Sequence, residues 1–438
     1  MSWRDNLGPV RMERVALVVP AENHRGMLSV IAASAAVELD LPHSSGTGAD
    51  EFDRAAQAAV VSGPLVGYVG WTPSHAMAEL TGSLTPLGAA VVPLRRPLGI
   101  EPPTLLTGEG RPSGGAARLL VDTYGTVPYA DVDPSRIAVL AYILMFGIMF
   151  GDVGHGAILL IAGLVLRTGR IARIAKWKKI WAFVAGAGIA SMVFGALYGE
   201  AFGPTGLVPV LWLDPLADPV TLLLAALVVG AGLLAVSYAL GTINRVREGG
   251  WRYALYARTG VAGSLLFVAV GVLTLGLLNG ITALVVTAIV LAVVALALIF
   301  VGLYTDAGGG GTGLIQAVIE LFDTVVRLGS NIVSFARLAA FGLTHAALLT
   351  VVWSGTTALW TPGFGMVAAV LIFVLGNLLT FGLEALVAGI QALRLEYYEL
   401  FSRVFEKEGR PFTPWAPELG DAPAAATTPS TAHKRKSS

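Results

Sequence analysis

From Ile137 onward the chain is a succession of apolar segments, near 137–166, 180–200, 219–243, 257–278, 281–304, 329–354 and 365–395. A helix of about 20 apolar residues spans the hydrocarbon core of a bilayer. Seven such blocks in a row leave a helical membrane domain as the expected fold. Only 13% of the 438 residues are charged, where a soluble domain carries about 25%. Up to about Pro134 the sequence instead mixes charge, proline and glycine. The expected architecture is a small α+β cytoplasmic domain over 1–134, an all-α polytopic membrane domain over 135–403, and a cytoplasmic tail over 404–438. Met12–Leu39 reads as a strand and an amphipathic helix, and Val60–Val92 as similar units. The Pro-, Thr- and Ala-rich stretch after about 420 reads as disordered. The first residues, Met1-Ser2-Trp3-Arg4-Asp5, lead into polar sequence, so no signal peptide is expected. With no cysteine, disulfides, thiol catalysis and Cys-based metal sites are excluded. A formal net charge of zero gives no reason to expect a nucleic-acid partner.

The charges between the blocks suggest a topology. Arg167, Arg170, Arg173, Lys176, Lys178 and Lys179 crowd one short connection, and Arg245, Arg247, Arg252 and Arg258 another. Short Lys/Arg-rich loops stay cytoplasmic, and the tail, with Arg403, Lys407, Arg410 and Lys434-Arg435-Lys436, is placed on the same side. If the first domain is also cytoplasmic, the block 137–166 must cross twice. Its centre, Phe150-Gly151-Asp152-Val153-Gly154-His155-Gly156, has the glycines of a turn. The expected count is therefore about eight transmembrane helices, the last two long and tilted, with both termini inside. Seven passes with the soluble domain outside is the rival. Asp152, His155 and Glu200 read as structural groups at the hairpin and at the Tyr198–Gly203 stretch.

Ionisable residues inside spans are rare and generally face a partner or water. Here they concentrate late in the chain: Asp323 and Arg327, then Arg337 and His345, then Glu384 and Arg394. The last two long segments are consecutive, so they are expected to run antiparallel. His345 lies eight residues beyond Arg337, about 12 Å along a helix, and Glu384 lies ten before Arg394, about 15 Å. If the arginines share a depth, His345 and Glu384 share another, and Asp323 lies on the opposite side. Small residues, Ala339, Ala340, Gly342, Ala346 and Ala347, would let a second helical element approach closely.

Five separated stretches carry a family resemblance: Pro102–Leu106 with Tyr124–Ser135, FGIMFGDVGHG at Phe146–Gly156, YGEAFG at Tyr198–Gly203, SFARLAAFGLTHAAL at Ser334–Leu348, and Ile390–Trp415. Together they resemble the membrane subunit of rotary V-type and A-type ATPases, called subunit a or subunit I. The resemblance implies a proton-translocating stator with two offset half-channels against a rotating proteolipid c-ring. By motif position, Arg337 is the arginine barrier and Arg394 its companion, with Glu384, His345 and Asp323 as channel groups. The family usually has Glu where this chain has Asp323. The implied partners are the c-ring, peripheral- and central-stalk subunits, and membrane lipids; the implied location is a prokaryotic cell membrane. The family's long coiled-coil arms have no counterpart in the residues before the membrane domain. A non-catalytic scaffold copy and a stand-alone secondary ion transporter are the alternatives. No Gly-rich phosphate loop followed by Lys-Ser or Lys-Thr occurs, so no ATP site is expected. No cofactor and no metal ligand set are assigned.

Overall fold

A computed structural model describes residues 9–41, 48–95, 100–105, 125, 127–129, 131–170, 175–405 and 409–417. The far tail, the first residues and most of the stretch before the first span, all subjects of the expectations above, lie outside the described residues. The chain divides into two compact units: one formed by 10–105 with the segment from Arg410, the other by 106–409 with the first nine residues.

The first unit is built on a five-stranded antiparallel sheet. Its strands are β1 (Met12–Pro20), β2 (Glu38–Leu39), β3 (Val60–Ser62), β4 (Leu65–Pro73) and β5 (Ala90–Leu94). The order is β2-β4-β1-β5, with β3 also on β4. The alternation of β1 sends Val15, Leu17 and Val19 to one face. Helix α1 (His24–Ser34) supplies Met27, Leu28 and Ile31 to that core, and α3 (Met77–Leu84) supplies Leu80 and Leu84. Helix α2 (Gly48–Gln57) adds Ala55. The C-terminal segment returns to this unit. The Thr104 amide donates to the Arg410 carbonyl (2.7 Å) and that of Trp415 to Val37 (2.8 Å). Arg410 pairs with Glu38 at 2.6 Å. Both flanks of the apolar region thus enter one folded body.

The second unit is helical. Its elements are α4 (Ser135–Met149), α5 (Val153–Thr168), α6 (Trp181–Tyr198), α7 (Pro219–Tyr256), α8 (Val261–Leu278), α9 (Thr282–Asp306), α10 (Gly310–Ser334), α11 (Ala336–Ala358) and α12 (Phe364–Leu395). Among the described residues, six helical runs are long and apolar enough to cross a membrane; α4 and α5 are shorter. The run Gly310–Ala358 is interrupted only at Phe335. This differs from the block drawn at 329–354. Gln316, Glu320, Asp323 and Arg327 lower the hydropathy of α10, yet their helical spacing keeps them on one side of an amphipathic helix.

The pattern of contacts fixes helix directions. Ile143 faces Gly186, Gly147 faces Ala190 and Gly151 faces Phe194, so α4 and α6 run parallel. Gly163 faces Ala185 and Gly156 faces Met192, so α5 and α6 run antiparallel. The arms α4 and α5 therefore form the hairpin expected from the glycines, with its turn at Phe150–Asp152. They pack mainly on α6 and only slightly on each other. The turn is buried in protein, which an interrupted backbone inside a bilayer requires. A Cβ at Gly188 would stand 2.5 Å from the Leu160 amide nitrogen; small residues alone permit this approach. Further along, Asn244 of α7 accepts from the Val132 amide (3.0 Å) and donates to the Val404 carbonyl (3.1 Å). It ties the entry of the helical region to its exit.

Candidate functional site

The last two helices hold the site. Gly355 faces Ile372, Val352 faces Gly376, and His345 bonds Glu384, so α11 and α12 run antiparallel in one continuous register. That register brings Arg337 and Arg394 to the same level. Both line a cavity of about 810 Å³, with Ser330, Val333, Ser334, Tyr398 and Glu399. Phe335, fully buried against Gly230 of α7, anchors the bend that starts α11 just before Arg337. Nη1 of Arg337 is buried and has no hydrogen-bond partner among the described residues. Arg394 is exposed at the end of α12.

Two turns above the arginines, Nδ1 of His345 bonds a carboxylate oxygen of Glu384. His345 is 2% exposed and the Glu384 side chain 13%, so the pair is nearly cut off from the surroundings. Around it stand groups from three other elements. The Phe150 ring lies 4.8 Å from His345 and the His155 ring 5.7 Å. Asp152 caps α5, accepting from the amides of His155 (2.8 Å) and Gly203 (3.0 Å). Glu200 follows α6, and its carbonyl accepts from the Val153 amide (2.9 Å). Asp152 and Glu384 both act electrostatically on the buried Glu200.

Asp323 lies on the other side of the arginines. It pairs with Arg327 one turn along at 2.5 Å. It lines a second cavity, of about 400 Å³, with Tyr238, Arg258, Asn331, Arg403 and Tyr398. Tyr398 lines both cavities. The structure therefore joins four of the expected residues in two pairs, Arg337 with Arg394 and His345 with Glu384. Asp323 stands apart, one cavity away.

Sequence reasoning missed three buried charged residues at this end of the helices, Glu396, Glu399 and Arg403. Glu396 and Glu399 lie in a π-helical turn, Glu396–Phe401, directly after α12. Both are buried; the Ser334 hydroxyl donates to Glu399, and Arg337, Arg394 and Arg403 all act on its carboxylate. The apolar pattern ends near residue 395, so an acid five residues beyond Arg394 carries no signal of a place beside the arginines. Arg403, also buried, stacks over the Tyr238 ring at 4.4 Å. Asp152, His155 and Glu200 were assigned to architecture alone, and their approach to His345 and Glu384 has no trace in the sequence.

Six apolar helical runs long enough to cross a bilayer, with two shorter apolar helices beside them, define a multi-pass helical membrane protein. Comparison with known proteins gives the kinship. Residues 70–205 match the model of the V-type ATPase 116kDa subunit family. The chain is 26% identical over 312 residues to the A-type ATP synthase subunit I of Pyrococcus horikoshii, covering 68% of this chain and 45% of that protein. It is 27% identical to that of Archaeoglobus fulgidus, covering 79% and 58%. A shorter match to V-type ATP synthase subunit I 2 of Treponema pallidum reaches 35%, over 30% of this chain and 31% of that one. The chain is thus similar to the V-type ATPase 116kDa subunit family and to A-type ATP synthase subunits I, and it spans about half the length of the curated relatives it matches.

Proposed function

We propose that this chain is the proton-translocating membrane stator subunit of a V/A-type rotary ATPase, working against a proteolipid c-ring. The observation that carries the reading is the shared cavity of Arg337 and Arg394, with one buried nitrogen of Arg337 unpartnered. In this reading, a ring carboxylate arriving beside Arg337 must ionise, and leaving into lipid it must take up a proton again. The magnitudes allow it. Opposite unit charges about 4 Å apart gain about 4 kcal/mol at an effective dielectric of about 20. That corresponds to a carboxylate pKa depressed by about 3 units. Desolvation in lipid acts the other way and favours the neutral acid. A cation fixed between two paths turns this alternation into directional loading and release, and blocks a direct leak.

His345 and Glu384 then serve the path on one side of the arginines, and Asp323 serves the path on the other. We count eight passes: the six long apolar runs plus α4 and α5. An even count is supported by the sheet unit, to which residues from both flanks of the membrane region contribute. On this reading 135–403 is the translocating domain, and 1–134 and 404–438 lie on the cytoplasmic side of a prokaryotic cell membrane. Stalk subunits of the complex hold the chain against the ring, and lipid covers the exposed apolar faces.

The test is proton pumping by the assembled complex in membrane vesicles after Arg337→Ala. Coupled transport is expected to disappear while assembly persists. Pumping at the wild-type rate would overturn the site assignment.

A further inference from the structure

One cluster in the helical unit has a chemistry that proton conduction does not require. A donor atom from each of Asp152, His155 and His345 lies within 4.8 Å of the other two, and all three residues are buried. His155 is 0% exposed, and neither ring nitrogen makes a hydrogen bond of ordinary geometry, although the Asn377 amide lies close enough to act on the ring. Nε2 of His345 is buried and unpartnered. Buried polar atoms are normally satisfied, so unpartnered imidazole nitrogens grouped with a carboxylate need a reason.

We propose that Asp152, His155 and His345 form a binding site for a zinc-class divalent cation. Two imidazoles and a carboxylate are the ligand types such ions take, with bonds of about 2.0–2.2 Å and a fourth position left open. Tetrahedral ligands at those bond lengths stand about 3.4 Å apart, so the side chains close by modest rotation. The surroundings are those of a prepared site. Glu384 holds Nδ1 of His345; with the proton on that nitrogen, Nε2 presents its lone pair to the cluster. A carboxylate behind a ligating histidine fixes the tautomer and raises its basicity. Asp152 is itself oriented by the amides of His155 and Gly203. Asp152 and Glu384 together balance the charge of a divalent ion.

Metal binding does not depend on the proton-path reading, and transport is not its readout. The intact chain, purified in detergent and stripped with a chelator, is titrated with Zn²⁺ alone. One ion per chain is expected. His155→Ala and His345→Ala are each expected to weaken binding at least about tenfold, with elution and metal-free thermal unfolding checked in parallel. Should the variants fail to fold, Co²⁺ loaded into the wild type is expected to give the visible absorption of a four-coordinate site. The proposal is overturned by absent stoichiometric binding, by affinity unchanged in both folded variants, or by a six-coordinate aquo-type Co²⁺ spectrum.

Discussion

His345 and Glu384 are 39 residues apart in sequence and share a hydrogen bond in the interior, one from each of two antiparallel helices. Oε1 of Glu384 and Nε2 of His345 are buried without partners, so each residue depends on the other for its polar contact. Glu384→Gln and His345→Ala are each expected to cut proton transport by at least about tenfold. The double variant is expected to fall well short of the product of the two losses, because one act removes both ends of the same contact. A double-mutant cycle on vesicle pumping measures this. Full additivity would separate the two residues functionally.

Arg337→Lys tests the fork as well as the charge. Lysine keeps the cation and loses the planar donors, so partial transport is expected. Arg337→Ala is expected to lose at least about a hundredfold, in the range seen when a preorganised charge stabiliser is deleted. Arg394→Ala, more exposed, is expected to lose less. Pumping rates against complex content by gel compare the three.

Glu399 acts through its neighbours. Its carboxylate takes the Ser334 hydrogen bond and faces Arg337, Arg394 and Arg403. Glu399→Gln keeps the shape and removes the titratable group that faces those cations. A shift in the pH profile of transport, rather than a simple drop in rate, is the expected signature. Measurement of pumping across the pH range distinguishes it from a purely structural loss.

Gly195 and Gly188 sit where helices meet backbone to backbone. A Cβ at Gly195 would stand 2.4 Å from the Val153 amide nitrogen, inside the hairpin turn. Gly195→Val and Gly188→Val are expected to destabilise by about 1–3 kcal/mol or more through overpacking. Thermal unfolding in detergent reports it. Gly232→Val, where a Cβ meets open space, is the control.

The sheet unit carries its own pH dependence. Burial, with Arg25 nearby, lowers the pKa of His24 below its usual 6.5. The unfolded chain therefore binds a proton first as pH falls. Stability is kept above about 6.5 and declines as pH drops from there toward the lower folded value. Burial also pushes Tyr68, which donates to the Ala55 carbonyl, up to about 12, so stability also falls as pH rises above the ordinary tyrosine value of about 10. Amide exchange in β1 and β4 of the intact protein, followed across pH, checks both limbs; His24→Gln is expected to flatten the acid one.

Much of this was legible in the chain itself. Hydrocarbon length and charge exclusion mark spans one by one, and Gly151 marks a turn, because those signals are local; Gly154 and Gly156, read as part of that turn, lie inside α5, where they admit Phe202 and α6. The antiparallel return of the last two helices also followed from their order, and spacing tied the level of His345 and Glu384 to that of the arginines, but that the arginines share a level was a condition and not a result. Other features were not legible. Asp152 and His155 open α5 and Glu200 follows α6, and only the packing of those helices through small residues brings them toward His345 and Glu384. Glu399 was hidden because hydropathy ends where a helix turns polar, while the backbone continues into a π turn. The sequence by itself determined that the chain is a succession of apolar helices and where most of their rare charges lie. Which of those charges meet was decided by tertiary structure, because side-chain proximity depends on helix direction and close approach, quantities that no single segment encodes.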